Sequence, residues 1–449
     1  MKLELHPSAV KNFNEKADLL LLELVSKPKV SKQNSESSFK PDIFVNTLIT
    51  EKDIIGEISI STVDSVGIKV AQYFDSGGRQ IGLSEGSHNK LIRLSEEMQR
   101  TKVLFNTISV NLITKLIFDW MRDRYKNTTN LSMIEYVIDK CLKELKEFEI
   151  WMPIAMTHIQ SEIKIGKTVL KTITRELIDQ WCKEWQKDYP ENKDKIQQII
   201  DEKRKNIQGF ASATIKIFAE PQRAYEIAFE EAKKAISLLR CFSPANCSPQ
   251  IISYCTLLGK ENSETETYLI THGNKIHSIS ERIVDGASRP WFLNNDFISI
   301  IKPCLEILDN LLQQDIKNEF QEKVLDSLLL YSKSSLAKDS SDKLVYILVA
   351  LESILLKNEN EPIMQNVRER IAFFMGTSVL ERKSIINRFN KAYSVRSRFI
   401  HHGHSIDDLK VLEEIMIDAC MFFQQLILNV NNFKTKEQFI NKIEEVKLS

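Results

Sequence analysis

From Trp291 to the C-terminus, apolar residues recur every three and four positions, segment after segment, with only short polar breaks between them. That period gathers apolar side chains on one stripe of an α-helix, and short connections make successive helices antiparallel neighbours. The segments read DFISIIKPCLEILDNL, NEFQEKVLDSLLLYSKSSL, DKLVYILVALESILLKN, MQNVRERIAFFM, LERKSIINRFNKAYSVRSRFIHHG and DDLKVLEEIMIDACMFFQQLILNV. A stretch written this way is committed to a helical bundle.

Upstream the pattern is mixed. Residues 1–150 read as mostly helical, except that IGEISIST and GIKVAQYF, near residues 55 to 74, alternate like strands and precede the turn Ser76-Gly77-Gly78. Residues 151–289 read as an α+β module. WMPIAMTHI, EIKIGKTVL and FASATIKIF are strands, and a long charged helix runs from about Leu177 to Ile207. Ala219-Glu220-Pro221 opens an alanine-rich helix, with Pro where its missing N–H costs nothing. Beyond Cys241 the pattern weakens, and Ser288-Arg289-Pro290 marks the boundary to a third segment, 290–449. The expected class is mainly α with an α+β portion and a C-terminal helical bundle.

At 449 residues the chain exceeds one ordinary core. Lys plus Arg equals Asp plus Glu at 61 each, so no global field draws it to nucleic acid or to an anionic membrane, and any basic site must be local. No stretch stays apolar for the roughly 18 residues a membrane helix needs, and MKLELHPSAVKNF has no signal-peptide core. The expectation is a cytoplasmic protein with no membrane partner. Seven scattered cysteines without a CxxC pair argue against a disulfide framework. Cys241, Cys247 and Cys255, with His272 and His277, offer zinc-ligand types without the paired spacings of zinc modules, and read better as small core residues. SEIKIGKTVL, with Gly166, Lys167 and Thr168, approximates the end of a phosphate-binding loop, but Ser161 stands at the first glycine position and the alternation suits a strand.

Between Glu381 and His404 lie six basic residues, Arg382, Lys383, Arg388, Lys391, Arg396 and Arg398, against the single acid Glu381, with His401, His402 and His404 at the end. Such a patch suits a polyphosphate ligand such as RNA, with Arg388, Lys391 and Arg398 as candidate contacts. On charge alone, a basic helix end complementing its own dipole explains the patch as economically. Arg396 is different, because Ala392, Tyr393, Phe399 and Ile400 lie three and four residues away and put its guanidinium on the apolar side. A cation so placed needs a partner. Glu352 in VALESILL is flanked in the same way by Leu348, Val349, Leu355 and Leu356, so the two charges are expected to meet.

Arg396, four residues, then His401 matches the R-x(4-6)-H pattern, and His402 matches it with five; Ser397 follows the Arg, Tyr393 precedes it and Gly403 closes the motif. In this context, with Ala350-Leu351-Glu352 on an earlier helix, residues 290 to 430 resemble a HEPN domain of the Apea-like kind. The resemblance implies a HEPN-like bundle in which Arg396 and His401 or His402 are catalytic, supported by Glu352, Tyr393 and Ser397. It implies a cleft between two protomers that cleaves RNA, tRNA among the candidates, with no metal or other cofactor. Many members of the family act in abortive defence against phage. The chemistry fits the residue types: an imidazole can exchange protons with the ribose 2′-hydroxyl or the leaving 5′-oxygen, and a guanidinium can stabilise charge growing on phosphate. The doubled histidine departs from the simplest pattern, and the four-residue spacing favours His401.

On one straight helix Arg396 and His401 point about 140° apart. Convergence therefore requires that the helix end before Gly403, that a second copy complete the site, or both. A fold does not establish activity, and the competing reading is a non-catalytic HEPN module that binds RNA or dimerises. In either reading, residues 1 to 285 are a candidate sensor for a phage-derived or cellular trigger.

Overall fold

The computed structural model describes residues 4–28, 60–63, 69–259, 265–272, 275–283, 290–402 and 409–448, with side chains described for all of these except 60–63, 265–272, 275–283 and His402. Most of IGEISIST, the Ser288-Arg289 boundary, Gly403 and His404 lie outside the described residues. Those described form fifteen α-helices and twelve strands, so the protein is mainly α with an α+β portion. The chain divides into two compact units, Met1–Phe148 with Ile217–Ile227, and Glu149–Lys216 with Ala228–Ser449.

In the first unit, α1 (Pro7–Leu22) leads into β1 (Val25–Pro28), β2 (Ile60–Val63), β3 (Lys69–Ser76) and β4 (Arg79–Leu83), a sheet of order β1-β4-β3-β2. The expected strand after residue 67 and its turn are present; Gly77 and Gly78 both take positive φ, as a tight hairpin between right-twisted strands demands. The outer strand β1 was not anticipated. Then come α2 (Glu85–Gln99), α3 (Lys102–Phe105), α4 (Val110–Tyr125) and α5 (Met133–Glu144). Ser132 and Glu135 cap α5 reciprocally. Phe74, Leu83, Leu91, Met98, Ile117, Trp120 and Val137 form the core. Buried Glu220 belongs here too, accepting from the backbone N–H groups of Ser109, Gln222 and Arg223.

The second unit begins with β5 (Lys146–Pro153), β6 (Thr157–Ile159), β7 (Ile163–Ile165) and β8 (Thr168–Thr172). EIKIGKTVL is thus a hairpin of two strands, and Thr168 starts a strand rather than the helix that a phosphate-binding loop requires. Gly166 turns it with φ +64°; its N–H donates to Asp309 at 2.8 Å, and a Cβ there would press on Leu312 at 3.0 Å. The expected single charged helix is two helices, α6 (Arg175–Asp188) and α7 (Lys193–Ile207). Pro190 causes the break: lacking an N–H, it starts a short 3-10 turn instead of continuing α6. Next in the chain come β9 (Ala211–Ala219) and α8 (Pro221–Arg240), whose stretch Ile217–Ile227 belongs to the first unit, and the hairpin β10 (Thr265–His272) and β11 (Lys275–Ile283), where sequence reading found only a weakened pattern. The main sheet has order β5-β9-β8-β7, and β12 (Trp291–Leu293) pairs with β6 in parallel.

The bundle follows: α9 (Asn295–Gln313), α10 (Glu319–Ser334), α11 (Ser340–Leu355), α12 (Ile363–Met375), α13 (Val379–His402), α14 (Leu409–Leu428) and α15 (Lys436–Leu448). The six helices expected from periodicity are present, and α15 is additional. Phe320, Leu328, Ile347, Leu351, Ile371, Phe389, Phe422 and Phe439 are fully buried, and Tyr331 stacks on Phe423 at 4.3 Å between centroids.

Lys343 on α11 is fully buried, donating to the Ile251 carbonyl, and burial pulls its ammonium down to about 8. Unfolded, the same group titrates near about 10.4, so between these values the unfolded chain binds more protons and stability rises with pH. Below that window the folded chain carries a buried charge at a cost of about 3 kcal/mol. Lys343→Met is expected to be more stable at neutral pH by about 2 kcal/mol, after loss of one hydrogen bond, and to lack the alkaline rise. Urea denaturation of both proteins at neutral pH and near about pH 10 checks this.

Candidate functional site

The basic helix α13 starts at a capping box: Ser378 Oγ accepts from the Glu381 N–H at 3.2 Å, and Glu381 Oε2 accepts from the Ser378 N–H at 3.3 Å. The same carboxylate accepts from the Thr377 hydroxyl and N–H at 2.8 Å, and these bonds, the hydroxyl's first, lower its pKa. From there Ile385, Phe389, Ala392 and Tyr393 form the buried stripe, at the helical spacing that continues to Arg396. That stripe, not the basic side chains, fixes which way Arg396 points.

Arg396 Nη1 donates to Glu352 Oε1 at 2.5 Å, and the Tyr393 hydroxyl donates to the same oxygen at 3.0 Å. The Arg396 side chain is 20% exposed and that of Glu352 14%, so the expected meeting of the two charges occurs at the bundle's edge. The guanidinium also lies over the Tyr393 ring, 5.9 Å from its centroid. Burial first, and then the Glu352 carboxylate, push the Tyr393 phenol far above its ordinary value, which keeps it a proton donor to Glu352. Glu352 thus anchors a cation and a phenol from α13 on a single oxygen. Ile400, expected beside Arg396 on the apolar side, is 54% exposed instead, because the buried stripe of α13 ends at Tyr393.

α13 stays helical through His402, so it does not unwind between Arg396 and His401. The helix is described as far as His402, and within it Arg396 and His401 are not swung together. Arg396 turns inward to Glu352, and His401, about 140° round the helix, is exposed. The side chain of His402 lies outside the described set. Ser397, Lys391 and Arg398 are exposed along the same helix.

Arg388 differs from these. Its Nε and Nη2 donate to the two oxygens of Asp418 on α14 at 2.6 and 2.8 Å, and Nη1 donates to Ser384 at 2.7 Å. The Asp418 side chain is only 5% exposed. The bonds that Arg388 donates to Asp418, more than any other influence, raise its pKa. This bidentate clamp joins α13 to α14, so among the described residues Arg388 is, of the three cations considered for RNA, the one whose charge is already balanced. Arg388→Ala is therefore expected to cost about 2 kcal/mol of stability, whereas Lys391→Ala and Arg398→Ala leave stability unchanged and each lower the salt dependence of RNA binding by about one phosphate contact. Thermal melts beside RNA binding at several salt concentrations separate the two effects.

Asp418 was missed in the sequence, although a lone acid inside IDACMFF carried the signal. A second missed anchor is Arg370 on α12, which gives bidentate bonds to Glu361 at 2.8 and 2.9 Å, one to Glu444 on α15 at 2.9 Å and one to the Leu355 carbonyl at 2.6 Å. Among the zinc candidates, Cys241 and Cys255 are buried in the core and Cys247 is partly exposed, while the side chains of His272 and His277 are outside the described set. Among the described residues, no three His, Cys, Asp or Glu side chains are grouped to hold a metal ion, and no helix is long and apolar enough to cross a membrane.

Comparison of the chain with family models, with curated proteins and with solved structures found no match. The site therefore stands on its own geometry.

Proposed function

We propose that the C-terminal bundle is a HEPN-type, metal-independent endoribonuclease acting in antiviral, abortive defence, and that two copies of the chain build its site. The observation that carries this reading is the posture of α13: Arg396 is held in one orientation by Glu352 and Tyr393, while His401 is exposed about 1.4 turns further on, on the same helix that exposes Lys391 and Arg398. A second copy brought against this helix places the imidazole of one chain opposite the guanidinium of the other. There the imidazole exchanges protons at the 2′-hydroxyl or the 5′-oxygen, and the guanidinium stabilises charge on the phosphate as the 2′-oxygen attacks it. Lys391 and Arg398 hold the flanking phosphates.

One observation favours a non-catalytic reading, in which the bundle binds RNA or dimerises under the control of the N-terminal region: Arg396 is already neutralised by Glu352. Catalysis then requires that phosphate compete for the remaining guanidinium nitrogens. The discriminating experiment incubates purified protein with total RNA and with tRNA in excess EDTA and analyses the new ends. The nuclease reading expects cleavage leaving a 2′,3′-cyclic phosphate and a 5′-hydroxyl. Retention of intact RNA in a stable complex is the outcome expected of a binding module.

A further inference from the structure

In the second unit, the last turns of α8 and of α10 enclose a cavity of about 330 Å³. From α8 it is lined by Glu230, Lys233, Lys234, Ser237 and Arg240, whose spacing of three and four puts them on one face of that helix. Ser332 and Lys333 face them from α10. Four cations thus meet one carboxylate around a single space. Its walls are fastened together at the end of α8: Cys241 Sγ donates to the Leu328 carbonyl at 3.4 Å, and Asn246 Oδ1 accepts from the Ser334 hydroxyl at 2.8 Å.

The lining has two layers. Lys233, Lys234 and Lys333 are exposed, and among the described residues none of them is in an ion pair. Arg240 and Ser237, by contrast, are only 4% and 7% exposed. Arg240 Nη1 donates to the Cys255 carbonyl and Nη2 to the Ser237 hydroxyl, both at 3.1 Å. A hydroxyl that accepts from arginine turns its own proton away from it, and among the described residues Ser237 gives that proton to no acceptor. A solvated face explains three surface lysines; it does not explain a buried guanidinium and an oriented hydroxyl in the same wall.

We propose that this groove between α8 and α10 binds a mononucleotide, with the phosphate held by Lys233, Lys333 and the Ser237 hydroxyl. Ammonium groups and a hydroxyl donor converging on one space are what a phosphate dianion requires. The rest of the ligand has a place beside it. A second cavity, of about 540 Å³, continues the groove and shares Lys234 and Leu329 with the first. Here the charge reverses: Glu231, Asp315, Glu322 and Asp326 outnumber the three lysines, and Lys167 already faces Glu231 at 4.0 Å. Carboxylates only accept, so this end takes ribose hydroxyls and base amino groups, with Leu238, Leu312 and Leu325 as apolar surface for the ring. Cavities of this size suit a small molecule better than a strand of RNA. Neither α11 nor α13 contributes to their walls, so the site is separate from Arg396 and Glu352.

Isothermal titration calorimetry of the full chain tests this, with the four 5′-nucleoside monophosphates, the matching nucleosides, inorganic phosphate and a short RNA as titrants. At least one monophosphate is expected to bind at least about tenfold more tightly than its nucleoside and than inorganic phosphate. Lys233→Ala combined with Lys333→Ala should weaken that binding by about tenfold or more. Both lysines are exposed, so the melting temperature should stay near that of wild type. Lys323→Ala, an exposed residue of α10 outside both cavities, should leave binding unchanged. Asp326→Asn should weaken the monophosphate but not inorganic phosphate. Absence of binding by every monophosphate, equal weakening by Lys323→Ala and by the double variant, or binding of the RNA alone would overturn the proposal.

Discussion

Arg396→Ala and His401→Ala are each expected to lower RNA cleavage by about 100- to 1,000-fold, the range for removing a charge-stabilising donor or an acid–base group. The two losses have different physical origins. His401 is exposed and outside the buried stripe of α13, so its removal should cost less thermal stability than removal of Arg396. Arg396→Ala strips Glu352 of its cation and leaves a carboxylate 14% exposed, which is expected to cost about 2 kcal/mol. Adding Glu352→Gln to Arg396→Ala removes that stranded charge; stability should recover while cleavage stays lost. Arg396→Lys keeps the charge but not the planar fork, so it should restore little activity. Initial rates on a defined RNA beside thermal melts read the two effects apart. Full activity of the Arg396→Ala, Glu352→Gln double variant would assign Arg396 a structural role alone.

The largest loss of stability is expected at Arg370→Ala, about 3 kcal/mol, because it leaves two partly buried carboxylates and a carbonyl without their donor. The Arg370 side chain is 5% exposed, and those of Glu361 and Glu444 are 16% and 30% exposed. Together its bonds fasten α12 to α15 and to the segment after α11. The pair also sets an acid limit. The hydrogen bond from Arg370, more than any other influence, holds the Glu361 carboxyl below its ordinary value. Its stabilisation is thus present above the unfolded carboxyl's pKa and is lost as pH falls through the lowered folded value. Guanidinium denaturation checks both points, and a loss below about 1 kcal/mol would show that the bundle does not depend on this anchor.

The bundle was legible because a three-and-four apolar period survives any detail of packing, and α9 to α14 all follow it. The Arg396–Glu352 contact was legible for a related reason: each charge interrupts an apolar stripe and so must find its opposite. Asp418 and Arg370 carried the same kind of signal, but each has more than one possible partner on distant helices, and only assembly of the bundle chooses between them. Pro190 could have divided α6 from α7 at once, had its missing N–H been weighed against the charge pattern around it. The β10–β11 hairpin was hidden because its short apolar runs alternate with charges and histidines, a pattern that loops share. Where Arg396 and His401 can converge was legible only as a dilemma, since one helix cannot turn both to the same side.

Mixing two inactive proteins resolves that dilemma most directly. Arg396→Ala and His401→Ala protomers, unfolded together, refolded at equal amounts and assayed on tRNA in EDTA, form mixed dimers in which one of the two sites has both an intact Arg396 and an intact His401, one from each chain. The account predicts recovery to about a quarter of wild-type activity from proteins that are each inactive alone. If the mixture stays as inactive as its components, while wild-type chains refolded in the same way cleave RNA, a site shared between two copies of α13 is contradicted.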